Sequence, residues 1–292
     1  MEHAIVLAPE VLGYLGPLPV TNTLLVSWIV MLFLIVISVI TTWKIKAIPA
    51  GLQNFFEFVI ETGYNTVEEL AHSKAKLFFP IVMTFFLFIV TANWFGLFPG
   101  FTTVGFFRTE VEQKELEEKD TITPFFQFIK SVGASEKSEQ KTLEEGAILD
   151  EKEKPEDKTV FIPLLRSINS DLNMTLSLAL VSAFLTHAFA LKFLGVLDYL
   201  KKWFSLNPVF LFVGLLELVS EFTKIVSLSF RLFGNIFAGE VVLVTVSGIF
   251  AFLVPLPFMF LEIIVGFVQA AVFMMLTLVF MVLLSEKHGE EH

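Results

Sequence analysis

Cysteine is absent from the 292 residues, so disulfides, thiolate metal sites and cysteine-ligated clusters are excluded. Charge is scarce: charged residues make up 17% of the chain, against 55% for hydrophobic ones. There is no basic patch with interleaved aromatics, which leaves nucleic acid out of the expected partners. Histidines at a spacing that would anchor haem are missing too, and His187 reads as a packed or interfacial side chain. No cofactor and no metal site is expected. Residues 1–23 lack the basic segment that opens a cleavable signal, so the first apolar stretch is expected to stay with the chain.

What the sequence does hold is apolar surface in long runs. A soluble chain of this size has more surface than so few charges can cover, and a mean hydropathy of +0.74 makes lipid the solvent for much of it. The formal net charge of −10 misleads if spread over the whole chain. Residues 108–160 hold fifteen acids and nine bases, leaving 26 charged residues for the other 239. That stretch reads as a solvated insertion or small helical appendage with no chemistry of its own.

Residues 24–43 form a charge-free run long enough to cross the roughly 30 Å hydrocarbon core. Trp28 and Trp43 lie near its ends, where an interfacial aromatic belt places them. Further spans are expected at about 77–98 and at 172–197, the latter with Ser170 or Asp171 as N-cap. The stretch 52–71 differs. Leu52, Phe55, Phe56, Val59, Ile60, Val67 and Leu70 make a helical stripe, with Gln53, Glu57, Glu61, Asn65 and Glu68 opposite. This predicts an amphipathic helix lying on the membrane or along a partner, set off from the first span by Pro49 and Gly51.

From 206 to 285 the chain is almost unbroken apolar sequence, interrupted at Pro255-Leu256-Pro257. Its first part, 208–253, would be about 70 Å long as one straight helix, more than a perpendicular crossing needs. One long tilted or bent helix is expected there, followed by a second at 257–285. The fold class is therefore all-α and integral to the membrane, with five crossings plus one interfacial helix. Lys44, Lys46, Lys74 and Lys76 flank the interfacial helix, and Lys192, Lys201 and Lys202 follow the third span. Short connections rich in lysine read as cytoplasmic. The expected layout is an outer segment 1–23, first spans 24–98, a polar outer connection 99–170, a helical core 171–285 and a cytoplasmic tail 286–292.

Six ionisable residues fall inside the last apolar region: Glu217, Glu221, Lys224, Arg231, Glu240 and Glu262. Each costs about 2.5–3.5 kcal/mol at a helix centre on insertion scales, so it must pair, face water or do work. Glu217, Lys224, Arg231 and Asn235 share one helical face by their spacing, with Glu221 beside it. Glu240 is half a turn out of phase with Arg231 and about 13 Å further outward at the helical rise. Glu262 and Gln269 share a face of the last helix. No acid lies three or four residues from Arg231, whereas Glu217, Glu221 and Lys224 have the spacing of mutual ion pairs. Residue reading alone leaves Arg231 as either a structural cation paired with a distant acid or a working charge between acids placed toward opposite faces. Asn235, Gln269 and Asn93 also fit as interhelical hydrogen-bonding residues.

The segment SLSFRLFGNIFAGE, residues 227–240, closely resembles the signature of the ATP synthase subunit a family. NPVF at 207–210, DLNMTLSLAL at 171–180 and FVQAAVFMMLT at 267–277 resemble other parts of that family. The likeness is close over 170–285, extends in layout over 24–98, and does not cover 108–160. It implies the ion-conducting stator of a rotary motor in a bacterial cytoplasmic (inner) membrane, its last two helices tilted against a ring of c subunits. Peripheral-stalk b subunits and an ATPase head would complete the complex, and this chain would carry no active site for ATP chemistry.

By the same resemblance Arg231 matches the essential arginine that meets the ring carboxylate. Asn235 and Gln269 match its polar neighbours, and Glu240 and Glu262 match the outer half-channel. Where many relatives carry a His with a Glu, this chain has two glutamates. Glu217, Glu221 and Lys224 fall toward the inner half-channel, although Glu221 is an added acid and Ile225 stands where many relatives have proline. Two readings compete: a secondary transporter, and a structural subunit of another membrane energy-coupling complex, such as a redox assembly. The absence of internal repeats and of paired Gly/Pro-broken spans counts against the first, and the absence of haem-spaced histidines against the second.

Overall fold

The computed structural model describes residues 9–16, 18–43, 45–46, 48, 51–98, 104–109, 159–203, 208–249 and 254–285. Nearly all of the charged stretch 108–160, and the tail 286–292, lie outside the described residues. The chain divides into two compact units, one of residues 1–26 with 99–166 and one of residues 27–98 with 167–292.

Seven α-helices carry the described chain: α1 (Asn22–Trp43), α2 (Leu52–Ala71), α3 (Ala75–Gly96), α4 (Leu172–Leu194), α5 (Val196–Trp203), α6 (Pro208–Ile249) and α7 (Pro255–Ser285). Five helical stretches are long and apolar enough to cross a membrane, with α2 and α3 running together as one of them. The protein is thus an all-α multi-pass membrane protein by architecture. Thr21 Oγ1 accepts from the Leu24 amide, and the Asp171 carboxylate accepts from the Asn173 amide. Each supplies a partner that the first turn of a helix lacks. Of the two N-cap candidates for α4, Asp171 holds the position, while Ser170 closes a 3-10 turn before it.

Two boundaries differ from expectation. The third span ends at Leu194 rather than 197, because Gly195 (φ 81°) leaves the helix and donates its amide back to Leu191 O. The short helix α5 follows. Pro255-Leu256-Pro257 is the first turn of α7 rather than a turn before it, a position where proline's missing N–H costs nothing. The expected single long helix is present as the 42 residues of α6.

No strand is expected from the sequence, yet the described residues hold four, in two antiparallel pairs. β1 (Val11–Leu15) pairs with β2 (Leu18–Thr21) through a tight turn in which Gly16 takes φ 66°. β3 (Gly105–Thr109) pairs with β4 (Thr159–Pro163), so Thr109 and Thr159, the residues flanking 110–158, face each other. The Arg108 guanidinium donates to Val11 O at 3.0 Å and Leu12 O at 3.1 Å, and lies over the Phe106 ring. Backbone pairing of short, mixed segments leaves little periodicity in sequence, which is why these strands escape a reading by pattern.

In the helical unit, Ile89 of α3, Ala179 of α4, Leu232 of α6 and Phe273 of α7 join one buried core. Val67 of α2, Phe78 of α3 and Leu278 of α7 join a second. The amphipathic α2 buries only Val67 and Ala71; Leu52, Phe55 and Ile60 on its apolar side stay exposed within the chain. Lys74, between α2 and α3, donates to Ser285 O at 2.9 Å and sits 4.9 Å from the Phe193 ring centre. The ends of α4 and α7 therefore meet the α2–α3 connection at one end of the unit. At the other, Asn93 Nδ2 donates to Gly266 O (3.0 Å) and accepts from Asn169 (2.6 Å), while Trp94 donates to Ile263 O (3.2 Å).

Candidate functional site

The site is built along the seam where α6 and α7 run antiparallel. Asn235 Nδ2 donates to Gln269 Oε1 at 2.6 Å and fixes the register. From that pair, advancing along α6 retreats along α7. One turn on, Gly239 meets Glu262; in the opposite direction, Lys224 meets Phe280, its Nζ 5.0 Å from the ring centre. The shared face predicted for Glu262 and Gln269 is present: both are buried, at 7% and 4% exposure.

At the Glu262 end the two helices touch closely. A Cβ at Gly239 would run into the Glu262 carboxylate, which could keep its buried place only by moving. Glu240, the next residue along α6, is half-buried. Toward the start of α6 the seam opens. A cleft of about 300 Å³ is lined by Ser220, Lys224, Ser227, Arg231, Leu276 and Phe280, among others. Arg231 is exposed, and among the described residues no carboxylate pairs with it. Burial of Ser229, Leu232 and Ile236 fixes the far side of α6 and so turns Arg231 to the cleft.

Lys224 forms a 2.6 Å ion pair with Glu221. A smaller hollow of about 20 Å³ lies beyond this pair, lined by Ser182, Thr186, Glu221, Lys224, Leu228 and Phe280 among others. Lys224, Leu228 and Phe280 line both spaces. Glu217 is half-buried earlier on α6 and lines neither. His187 accepts from or donates to the Tyr199 hydroxyl at 3.0 Å, a packing role of the kind its isolation suggests.

Seven of the eight candidate residues fall into three groups along one seam, and Glu217 stands apart from them. Lys224, Glu221 and Arg231 border open space, Asn235 and Gln269 bridge the helices, and Glu240 and Glu262 sit at the close contact. Gly239 is the participant that a search for charges misses. Its signal is a small residue in an apolar helix, one turn beyond the polar residue that bridges to the neighbouring helix. Arginine stays charged at any physiological pH, so the open group offers a fixed cation to a small ion or to a carboxylate from outside the chain.

Comparison with known proteins places the chain in a family. The family described as ATP synthase A chain matches residues 24–282. The chain is 27% identical to ATP synthase subunit a of Moorella thermoacetica over 272 residues, covering 93% of this chain and 94% of that one. It is 28% identical to the subunit a of Citrifermentans bemidjiense and 29% identical to that of Geobacter sulfurreducens, in each case over 258 residues, 87% of this chain and 83% of the relative.

Proposed function

The chain belongs to the ATP synthase A chain family, a stator subunit of a rotary F-type ATP synthase, and on that premise we propose that it carries ions across the membrane through two half-channels kept apart by Arg231. The cleft beside Lys224 and Arg231 is the cytoplasmic half-channel. Glu240 and Glu262 line the outer one, with Asn235 and Gln269 as the polar bridge between. The observation that carries this reading is Arg231 itself, a cation on the wall of a cleft with no carboxylate partner among the described residues.

The physics of the step follows from that position. A carboxylate on a neighbouring ring of c subunits would lose its proton only where a fixed cation meets it, because a bare charge in hydrocarbon is expensive. Arg231 meets it without releasing a proton of its own. The same charge repels a cation that would pass straight from one half-channel to the other. Ions must then travel on the ring, and each charge delivers about 2.3 kcal/mol per 100 mV of membrane potential to rotation. The peripheral-stalk b subunits would hold this chain still against the head. The N-terminus lies outside and the C-terminus in the cytoplasm of a bacterial cell. Support for that orientation comes from the lysine-bearing α2–α3 connection, which Lys74 joins to the end of α7.

Arg231→Ala tests the reading in vesicles containing the whole complex. ATP-driven ion uptake is expected to vanish while the complex still purifies intact; coupled uptake that survives the substitution overturns it.

A further inference from the structure

We propose that Glu221 is a positioning residue for ion passage: it cancels the charge of Lys224, so that an ion moving through the cleft meets one fixed cation, Arg231, rather than two. This rests on the reading of the cleft as an ion path. Three observations lead to it. Lys224 borders both the cleft and the hollow behind it, so its charge faces any ion approaching Arg231 from this side. Its ammonium is held from two sides, by Glu221 at 2.6 Å and by the Phe280 ring at 5.0 Å. Glu221 itself is the more enclosed partner, with its side chain 12% exposed against 29% for Lys224.

Seven residues separate Lys224 from Arg231, about 10 Å along the helix axis. In bulk salt that distance is about one Debye length. Beside walls of Leu228, Leu276 and Phe280, screening is weaker and two cations would act together against an incoming third. Pairing with Glu221 turns Lys224 from a net charge into a short dipole, whose field falls off faster with distance. Lysine still serves there, since its stem covers apolar surface and its head stacks on Phe280. Glu217 does not replace Glu221 in this role, because it lies two helical turns before Lys224 and lines neither space.

The test uses the intact complex in vesicles, with ATP-driven uptake read by a pH-sensitive dye and, separately, by radioactive sodium. Glu221→Gln is expected to lower the rate by on the order of tenfold, the low end of what a focused field does to local ion concentration. Raising the salt on the cleft side should recover part of the loss. Adding Lys224→Gln to Glu221→Gln should restore most of the rate, because the charge left uncompensated is then gone. If Glu221→Gln prevents assembly, the exchanged pair Glu221→Lys with Lys224→Glu is judged instead, and a rate near the original supports the proposal.

An unchanged rate in Glu221→Gln overturns it. So does a double variant as slow as the single one, which would make Glu221 an ion carrier in its own right. Arg231→Ala in the same vesicles separates the two layers of argument. Lost coupling there with no effect at Glu221 removes only this inference, whereas retained coupling removes the reading beneath it.

Discussion

Along the seam between α6 and α7, the end carrying Lys224 and Arg231 leaves a cleft of about 300 Å³, whereas the end carrying Glu240 and Glu262 closes on Gly239. Both ends place ionisable side chains inside apolar helices, yet they treat them in opposite ways. At the open end the cations face space and Lys224 is balanced by Glu221 three residues before it. At the closed end the carboxylate of Glu262 is buried by the approach of a helix that has given up a side chain to make room. Charge placement alone therefore does not say which ionisable groups are open to the cleft. At Glu262 the small residue opposite, Gly239, lets the two helices close over the charge, whereas Lys224 and Arg231 line a cleft.

The largest change to this contrast comes from filling the closed end. Gly239→Val puts a branched side chain where the Glu262 carboxylate lies, and overpacking of this kind costs about 1–3 kcal/mol or more. Thermal unfolding of the purified chain in detergent should fall by several degrees, and ATP-driven uptake in vesicles should collapse with it. Gly234→Ala on the same helix is the control, since a Cβ there meets nothing within 4 Å. Its stability should hold or rise slightly, as expected when glycine is replaced within a helix. Equal losses at the two glycines would mean that the closed end is not closed by Gly239.

Next in size is the split between the two acids. Glu262 is buried at the seam and Glu240 only half-buried, so Glu262→Gln should slow ATP-driven uptake more than Glu240→Gln. Because Glu240 follows Gly239, the residue against which the Glu262 carboxylate packs, the two acids are neighbours, and the double variant should lose less than the two single losses combined. Strictly additive losses would show that the two act independently.

The helical layout was legible in the sequence because the spans are long and the periods clear. α2 has the bounds its apolar stripe predicts, and Asp171 caps α4 as its residue type suggests. The shared faces of Lys224 with Arg231, and of Glu262 with Gln269, follow from seven-residue spacing on a helix and are present. Other features could not be read this way. β3 and β4 pair across the whole stretch 110–158, and the Arg108 side chain reaches back to Val11 O and Leu12 O; no local period announces such partners. Gly239 carries no chemistry of its own and matters only through what packs against it. Which helices pack together, and in what register, is decided by side-chain fit between elements, beyond the reach of periodicity within one element.

The smallest effect concerns what holds the helices together away from the charges. Thr175 of α4 and Ser229 of α6 share a buried hydroxyl contact at 3.1 Å, and Thr175 also donates to Leu172 O of its own helix. If hydrogen bonds between helices set the packing, removing this one would rival the glycine substitution. Measured couplings of this kind inside membranes average about 0.6 kcal/mol, because the separated helices find other partners for the same groups. A double-mutant cycle with Thr175→Val and Ser229→Ala, read by reversible unfolding in detergent, should therefore return a coupling near that size. A coupling as large as the cost of Gly239→Val would reverse the ranking, and close approach of small residues would no longer be the main determinant of how α6 is seated.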